Sequence, residues 1–598
     1  MKILGLSLGQ LTTACLMIDG RIVSCISEER YSRQKNEMSY PKKAIEFCMK
    51  QSNISGAQLD LVAIGSEHIP ADYQITKHFS SFSTRDYLRS QYEFWKPKLL
   101  EGKNPRWVDV FKDKIDTAQY PGGWDQIDFT DSQTQWKTYK SFIHKTISSQ
   151  IGVSIDKIVH VYHHSAHAAY AYYASPFRKK PCLVFTMDAY GDGVSASISV
   201  AEDDRLIMVA KSTTFFIGRL YRYITLLLGM KPNEHEYKVM GLAPYAKDAY
   251  IKGPYEIFAK TMYVDGLEFK YREKPSDLFF FFKDRLEGYR FDAIAGALQK
   301  YTEDMLSQWV TNALRHFGID RAVFSGGVAL NIKALKTIGE IEGLREIFCC
   351  PGAGDESLGL GACYYAEADY LSKHRLSMEE LFPMENAYLG EDTDAEAADF
   401  IRRNGYDKKY SVIFSATPRQ VAKLLAQGKV IARAAGRCEF GPRALGNRSI
   451  MADPRDFGMI AKINEKIKNR DFWMPFTPSI LSERQDDYLV NPKRFLAPYM
   501  TIAFDTTPLA RTHFPAALHP YDKTARPQLV TALTNPGYYA IIKEFELLTG
   551  VGAILNTSFN LHGEPIAHSL SDSMHVFENS DIDGLLLGEH FLLKKLCA

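Results

Sequence analysis

The hydrophobic pattern opens as β-structure. Residues 2–8 form a short apolar run, and residues 13–18 and 21–27 form two more, joined at Asp19-Gly20. Asp-Gly between apolar runs predicts a hairpin, because a type I′ turn needs positive φ at both central residues. Ile45, Cys48 and Met49 then recur at helical spacing across 41–52, and 59–65 returns to strand. From 157 the same grammar resumes. A strand is expected over 158–162, a helix over 163–174 and a buried strand over 182–187, followed by a Gly-rich turn, Asp188-Ala189-Tyr190-Gly191-Asp192-Gly193. Residues 291–317 read as one long helix, and 322–325 as a strand entering Gly326-Gly327. After about residue 380 a second unit begins, with strands over 430–434 and 553–555 around a Gly/Arg-rich loop at 436–448. No repeat with a period of about 20–50 residues is present.

Residues 70–150 differ. They are charged, poor in β-branched runs and hold Trp95, Trp107, Trp124 and Trp136 of the six tryptophans. This predicts a helical insertion whose aromatics either pack on one another or line an acceptor pocket. The 598 residues are 45% hydrophobic and 24% charged, which excludes a disordered or fibrous chain and allows two to four domains at about 100–200 residues each. A net charge of +1 gives no footprint for nucleic acid or an anionic membrane. Nine scattered cysteines without a CxxC pair suggest reduced thiols and a cytoplasmic protein. No run approaches the ~20 apolar residues of a membrane helix.

Four clusters carry chemistry. His163 and His167, at i and i+4 in HHSAH, share a helix face and can bind one metal ion. The string lacks the glutamate of a zinc-peptidase HExxH. Asp188 and Asp355 each stand in a Gly-rich turn where α/β sites collect. Two His with one or two carboxylates suit Fe(II), and less selectively Zn or Mn. Ser325-Gly326-Gly327 before a helix offers backbone N–H groups to a phosphate, although no Walker lysine follows. Arg437, Arg443 and Arg448, with Lys468 and Arg470 nearby, can converge on an oxyanion, and Asn556 to Asn560 add neutral donors.

Together these strings resemble the O-carbamoyltransferases of nodulation-factor and antibiotic biosynthesis. The matches run in order along nearly the whole chain: SEER at 27–30, HHSAH at 163–167, EYKVMGLAPY at 236–245, SGGVALN at 325–331, PGAGDES at 351–357, EFGPRALGNRSIMADPR at 439–455 and NTSFNLHGEPI at 556–566. The resemblance implies an α/β protein of two domains. Residues 1–375 would be an actin-like (ASKHA) domain, similar to the tRNA threonylcarbamoylation subunit, with 70–150 as a helical acceptor insertion. Residues 385–598 would be a YrdC-like domain. The opening hairpin-then-helix order suits the actin-like half.

By the same resemblance, His163, His167, Asp188 and Asp355 would bind the metal, usually iron, and Gly327 and Asn331 the nucleotide. Gly193, Arg448, Arg526, Asn556, Ser558 and Asn560 would bind substrate or nucleotide, with Lys468, Arg470 and Arg443 catalytic. The implied chemistry uses carbamoyl phosphate and ATP, with Mg²⁺ a further option, to make carbamoyladenylate. The carbamoyl group then passes to a hydroxyl of a small-molecule acceptor. Neither nucleic acid nor membrane is an expected partner, and a homodimer stays open.

Two positions depart from the family pattern. Gln10-Leu11 stands where a His-Asp pair is usual, so the base for the acceptor hydroxyl must come from elsewhere; His164, Glu28 and Glu29 are the candidates. Met474 stands where an arginine is usual, so one phosphate-binding cation is missing. A small-molecule kinase on the actin-like fold and a non-catalytic scaffold are the competing readings.

Overall fold

The computed structural model describes residues 1–116, 132–468 and 470–594, so Trp124 lies outside the described residues. The chain divides into two units, Met1–Met384 and Glu385–Ala598.

Unit 1 uses one sheet topology twice. Its first sheet holds β1 (Lys2–Ser7), β2 (Thr13–Ile18), β3 (Arg21–Ser27), β4 (Leu61–Ile64) and β5 (Ile158–His160) in the order β3-β2-β1-β4-β5. Strands β1 to β3 form an antiparallel meander, and β4 and β5 continue in parallel. The turn between β2 and β3 has φ of 46° at Asp19 and 71° at Gly20, as an Asp-Gly hairpin requires. The second sheet has β6 (Cys182–Gly191), β7 (Val194–Glu202) and β8 (Arg205–Ser212) as its meander. After a separate hairpin of β9 (Met262–Asp265) and β10 (Glu268–Tyr271), β11 (Arg321–Ser325) and β12 (Glu346–Cys349) complete it. Its order, β12-β11-β6-β7-β8, is that of the first sheet. This duplicated meander with parallel crossovers is the actin-like architecture. The repeat spans well over a hundred residues and is one of topology, so a search for short periods does not meet it.

Two crossings position the site. A Cβ on Gly361 would lie 2.0 Å from the Ala166 carbonyl oxygen, and one on Gly5 would lie 2.0 Å from the Gly359 oxygen. Small residues along Leu358–Lys373 therefore let that helix touch both β1 and the helix His163–Tyr173 at backbone distance. The contact brings the HHSAH helix to the start of the Asp355 segment.

The described residues of the insertion between β4 and β5 are mainly helical. Its aromatics are spent on each other: Phe82, Tyr87, Phe94, Trp107 and Phe111 form a buried cluster with Leu226 and Phe279. Trp107 is 3% exposed and donates its Nε1–H to Thr76 Oγ1 at 3.1 Å. The alternative of an aromatic acceptor lining is corrected for these rings, which are core.

Unit 2 is built on β13 (Tyr388–Asp392), β14 (Ser411–Ile413), β15 (Ile431–Ala434), β16 (Arg437–Glu439), β17 (Arg448–Ala452), β18 (Thr477–Leu481), β19 (Gln528–Val530), β20 (Ala553–Ser558), β21 (Gly584–Leu587) and β22 (His590–Leu593). Eight of these form a mixed sheet in the order β14-β22-β21-β15-β17-β20-β18-β19, and β13 pairs with β16. It is the second α/β half of the chain. The eight described cysteines, Cys15 to Cys438, are buried and unbridged. No helix among the described residues is long and apolar enough to cross a membrane.

Candidate active site: a histidine–carboxylate centre and a phosphate-binding unit

The first turn of the helix His163–Tyr173 has no side-chain cap of its own. Its His163 N–H instead donates to Asp192 Oδ2 at 2.7 Å. The same carboxylate accepts from Glu67 N, His68 N and the Ser66 hydroxyl at 2.8 to 3.1 Å. Asp192 thus fastens the β6–β7 turn, the loop after β4 and the start of the helix to one another. An acidic group there also suits the positive end of the helix dipole. Sequence reading passed over Asp192, treating it as one residue of a Gly-rich turn. Its Asp-Gly pairing with Gly193 was the available signal: φ is 48° at Asp192 and 85° at Gly193. Gly193 serves this turn.

One face of the helix carries both imidazoles toward Asp188. His163 Nε2 is 3.3 Å and His167 Nε2 is 3.2 Å from Asp188 Oδ2, and Asp355 Oδ1 lies 3.7 and 3.6 Å from the same nitrogens. The four ligand atoms all lie within 4.8 Å of one another. Asp188 does not begin a turn as expected. It lies inside β6, which runs on to Gly191 with a register irregularity between Met187 and Gly191. Gly191 is needed there, since a Cβ would come within 2.2 Å of the His163 ring. Asp355 opens a one-turn helix, Asp355–Ser357, ahead of Leu358–Lys373.

The hydrogen bonds fix one tautomer. The Ser325 hydroxyl donates to Ala353 O at 3.1 Å and lies 3.0 Å from His167 Nδ1. With its only proton committed, Ser325 accepts from His167 Nδ1–H. That leaves Nε2 facing two carboxylates, an arrangement that a divalent cation satisfies. Burial alone would raise the pKa of Asp188, but the two histidines beside it hold it well below the ordinary carboxylate range. Burial, with the charge of Asp188, pushes Asp355 well above it. The donor set fits a metal.

Other expected residues of unit 1 serve the frame. His164 is fully buried, with Nδ1 2.6 Å from Thr186 Oγ1 and Nε2 3.1 Å from Val194 O. Burial drives its pKa down to about 3. The expected base role of His164 is therefore corrected: both nitrogens are committed inside the β6–β7 layer. Glu28 caps the helix Lys42–Gln51, accepting from Ala44 N at 2.8 Å and Lys43 N at 3.3 Å. Glu29 accepts from Asn36 N at 3.0 Å. Gln10 donates to Asn233 O at 3.2 Å, and Leu11 has φ of 55°. Gly327 is exposed, and its Cβ would stand 3.3 Å from Asp188 Oδ1. Asn331 caps Ile332–Gly339 through Ala334 N. Its amide is also bonded to Gln299 and Tyr221, so direct nucleotide contact by this side chain is corrected to a structural role.

In unit 2, Lys468 Nζ donates to Asn560 O and Oδ1, each at 2.9 Å, to Ser558 Oγ at 3.3 Å and to Ser558 O. This joins the expected Lys468, Ser558 and Asn560. Arg470 stacks 5.5 Å over Phe476, and Arg443 and Arg526 are half-buried. Arg448 is corrected from ligand to scaffold. It is fully buried, and its guanidinium donates to His568 O, Gly436 O and Asn447 O at 3.0 to 3.3 Å. Asn556 likewise donates to Ala444 O at 3.1 Å and Ser479 Oγ at 3.0 Å. Glu439 Oε1 accepts from Leu445 N and Arg448 N, and Gln528 donates to Leu445 O at 2.7 Å. The loop containing Arg443 is thereby held in shape from inside. Met474 is buried.

Two halves of this kind define a carbamoyltransferase. The carbamoyltransferase N-terminus model matches residues 2–364 and the carbamoyltransferase C-terminus model matches 422–595, and the chain belongs to that family. It is 28% identical to the nodulation protein NolNO of Sinorhizobium fredii, over 97% of this chain and 78% of that one. It is 32% identical to NolO of Bradyrhizobium diazoefficiens, over 72% of this chain and 78% of that one. A third relative, the 3'-hydroxymethylcephem-O-carbamoyltransferase of Amycolatopsis lactamdurans, is 33% identical over 28% of this chain and 32% of its own. Membership through both halves sets aside the kinase reading.

Proposed function

We propose that this carbamoyltransferase is ATP-dependent and directed to oxygen. Unit 2 converts carbamoyl phosphate, ATP and water into carbamoyladenylate, phosphate and pyrophosphate. The carbamoyl group then goes to a hydroxyl of a small-molecule acceptor in unit 1, releasing AMP. The observation that carries this reading is the convergence of His163, His167, Asp188 and Asp355.

A divalent metal held by those four residues, Fe(II) being the first choice, would supply Lewis acidity beside the leaving nucleotide. The protein's own part is orientation. Ser325 keeps the His167 tautomer, Asp192 holds the helix, and Gly327 leaves open backbone next to Asp188. In unit 2, attack by carbamate on the α-phosphorus spreads negative charge over phosphoryl oxygens. Arg443, Arg470 and Arg526 are the cations that answer it, beside the segment Lys468 holds.

The test is a product balance. Metal-loaded protein with carbamoyl phosphate and ATP is expected to release phosphate and pyrophosphate in equal amounts, with AMP following as an acceptor hydroxyl or water takes the carbamoyl group. ADP as the only nucleotide product, or no turnover, contradicts it.

A further inference from the structure

Unit 2 holds a buried cation that none of the chemistry above uses. Arg433 lies in β15 and is 6% exposed. Its Nη1 donates to Gly446 O and Asn447 Oδ1, both at 2.7 Å. Its buried Nε has no hydrogen-bond partner among the described residues. Asp394 and Glu439 are acidic neighbours, but their described hydrogen bonds go to the backbone and not to the guanidinium: Asp394 Oδ1 accepts from Gly436 N, and Glu439 Oε1 accepts from Leu445 N and Arg448 N. A buried guanidinium with an unmet donor and no carboxylate bonded to it favours the arrival of an anion.

The surroundings leave room for that anion. The helix Pro536–Thr549 starts beside Arg433, capped by Asn535, whose Oδ1 accepts from Tyr538 N at 3.2 Å. A Cβ on Gly537, in the first turn, would stand 3.1 Å from Arg433 Nη2. The helix N-terminus and the guanidinium therefore direct positive potential into one small space. Register ties this space to the rest of the unit. Arg433 pairs with Ser449, and Ser449 pairs with Ser558, the residue that Lys468 holds. Paired residues share a face, so Arg433 and Ser558 stand on the same side of the sheet, about 10 Å apart at two strand spacings.

We propose that Arg433 and the first turn of Pro536–Thr549 form a subsite for a phosphoryl oxyanion, with Gly537 the small residue that admits it. Which phosphoryl group it takes, that of carbamoyl phosphate or the tail of ATP, rests on the function proposed above; the oxyanion site itself does not.

Two variants test it by calorimetric titration with inorganic phosphate, beside thermal unfolding. Arg433→Gln removes the charge and is expected to weaken phosphate binding about tenfold or more. Gly537→Ala fills the space while leaving both Nη1 bonds in place. Alanine is the better helix former, so its melting temperature is expected to hold or rise while phosphate binding falls. KM values then assign the source. A rise for carbamoyl phosphate alone marks the donor phosphate, and a rise for ATP alone marks the nucleotide tail. The proposal is overturned if wild-type protein takes up no phosphate at millimolar concentration, or if Gly537→Ala binds it as wild type does. In the second case a loss in Arg433→Gln reports a structural arginine. Because phosphate is the probe, this outcome is independent of whether AMP and pyrophosphate are formed.

Discussion

His167 Nδ1 lies 3.0 Å from a Ser325 hydroxyl whose own proton goes to the Ala353 carbonyl. That single bond decides which nitrogen of His167 faces Asp188. It also ties the helix His163–Tyr173 to the end of β11, so the proposed metal donors are oriented from two elements at once. Ser325→Ala is expected to lower affinity for Fe(II) or Zn(II) by about 10–100-fold, the usual cost of losing a partner behind a ligand histidine. Competition with a chelator measures it. Unchanged affinity would show that the tautomer is set by something else.

His164 gives a contrasting expectation. A general base contributes about 10²–10⁴-fold, so its loss would be plain in turnover. With both nitrogens committed to Thr186 and Val194, His164→Gln is expected to change AMP release less than about threefold, far below that range. It should instead lower stability by about 1–3 kcal/mol through the unsatisfied buried groups. Steady-state AMP release and denaturant unfolding read the two effects. A hundredfold loss of turnover without loss of stability would restore the base role.

Glu28 links a helix cap to pH. Burial raises its pKa to about 7 from an ordinary value of 4.5. The folded state therefore holds a proton that the unfolded state has released between those values. Stability from this group is full below the unfolded value and is lost as pH rises through the folded one. The maximum effect is on the order of 3 kcal/mol. Relative to Glu28→Gln, the wild type is expected to lose stability as pH rises from about 5 to about 8. A difference that stays constant or grows with pH contradicts the assignment.

Much of unit 1 was legible because its signals are local. Asp19-Gly20 marked its hairpin, and helical spacing gave Phe291–Phe317 end to end. The i and i+4 spacing placed His163 and His167 on one face. The same reasoning could not tell that His164, one residue on, turns into the β6–β7 layer, since that depends on Thr186 and Val194. Asp188 was taken for a turn residue because Gly191 and Gly193 follow it. The strand in fact continues, and the glycine at 191 is there to admit a histidine ring. Arg448 and Arg443 look alike in a Gly/Arg-rich string, yet strand pairing buries only one of them completely. Arg433 lay hidden inside an apolar strand, where its charge acquires meaning only from Gly537, about a hundred residues away in sequence.

The central claim is that adenylate formation belongs to unit 2 and carbamoyl transfer to unit 1. Pyrophosphate release from carbamoyl phosphate and ATP, measured in His167→Ala and in Arg443→Ala, tests it without knowledge of the acceptor. His167→Ala is expected to lose its metal but to release pyrophosphate at close to the wild-type initial rate. Arg443→Ala should keep its metal and fall at least tenfold in pyrophosphate release, from the lost charge-assisted contact. Equal loss in both variants, or normal release by Arg443→Ala, would contradict the division of labour.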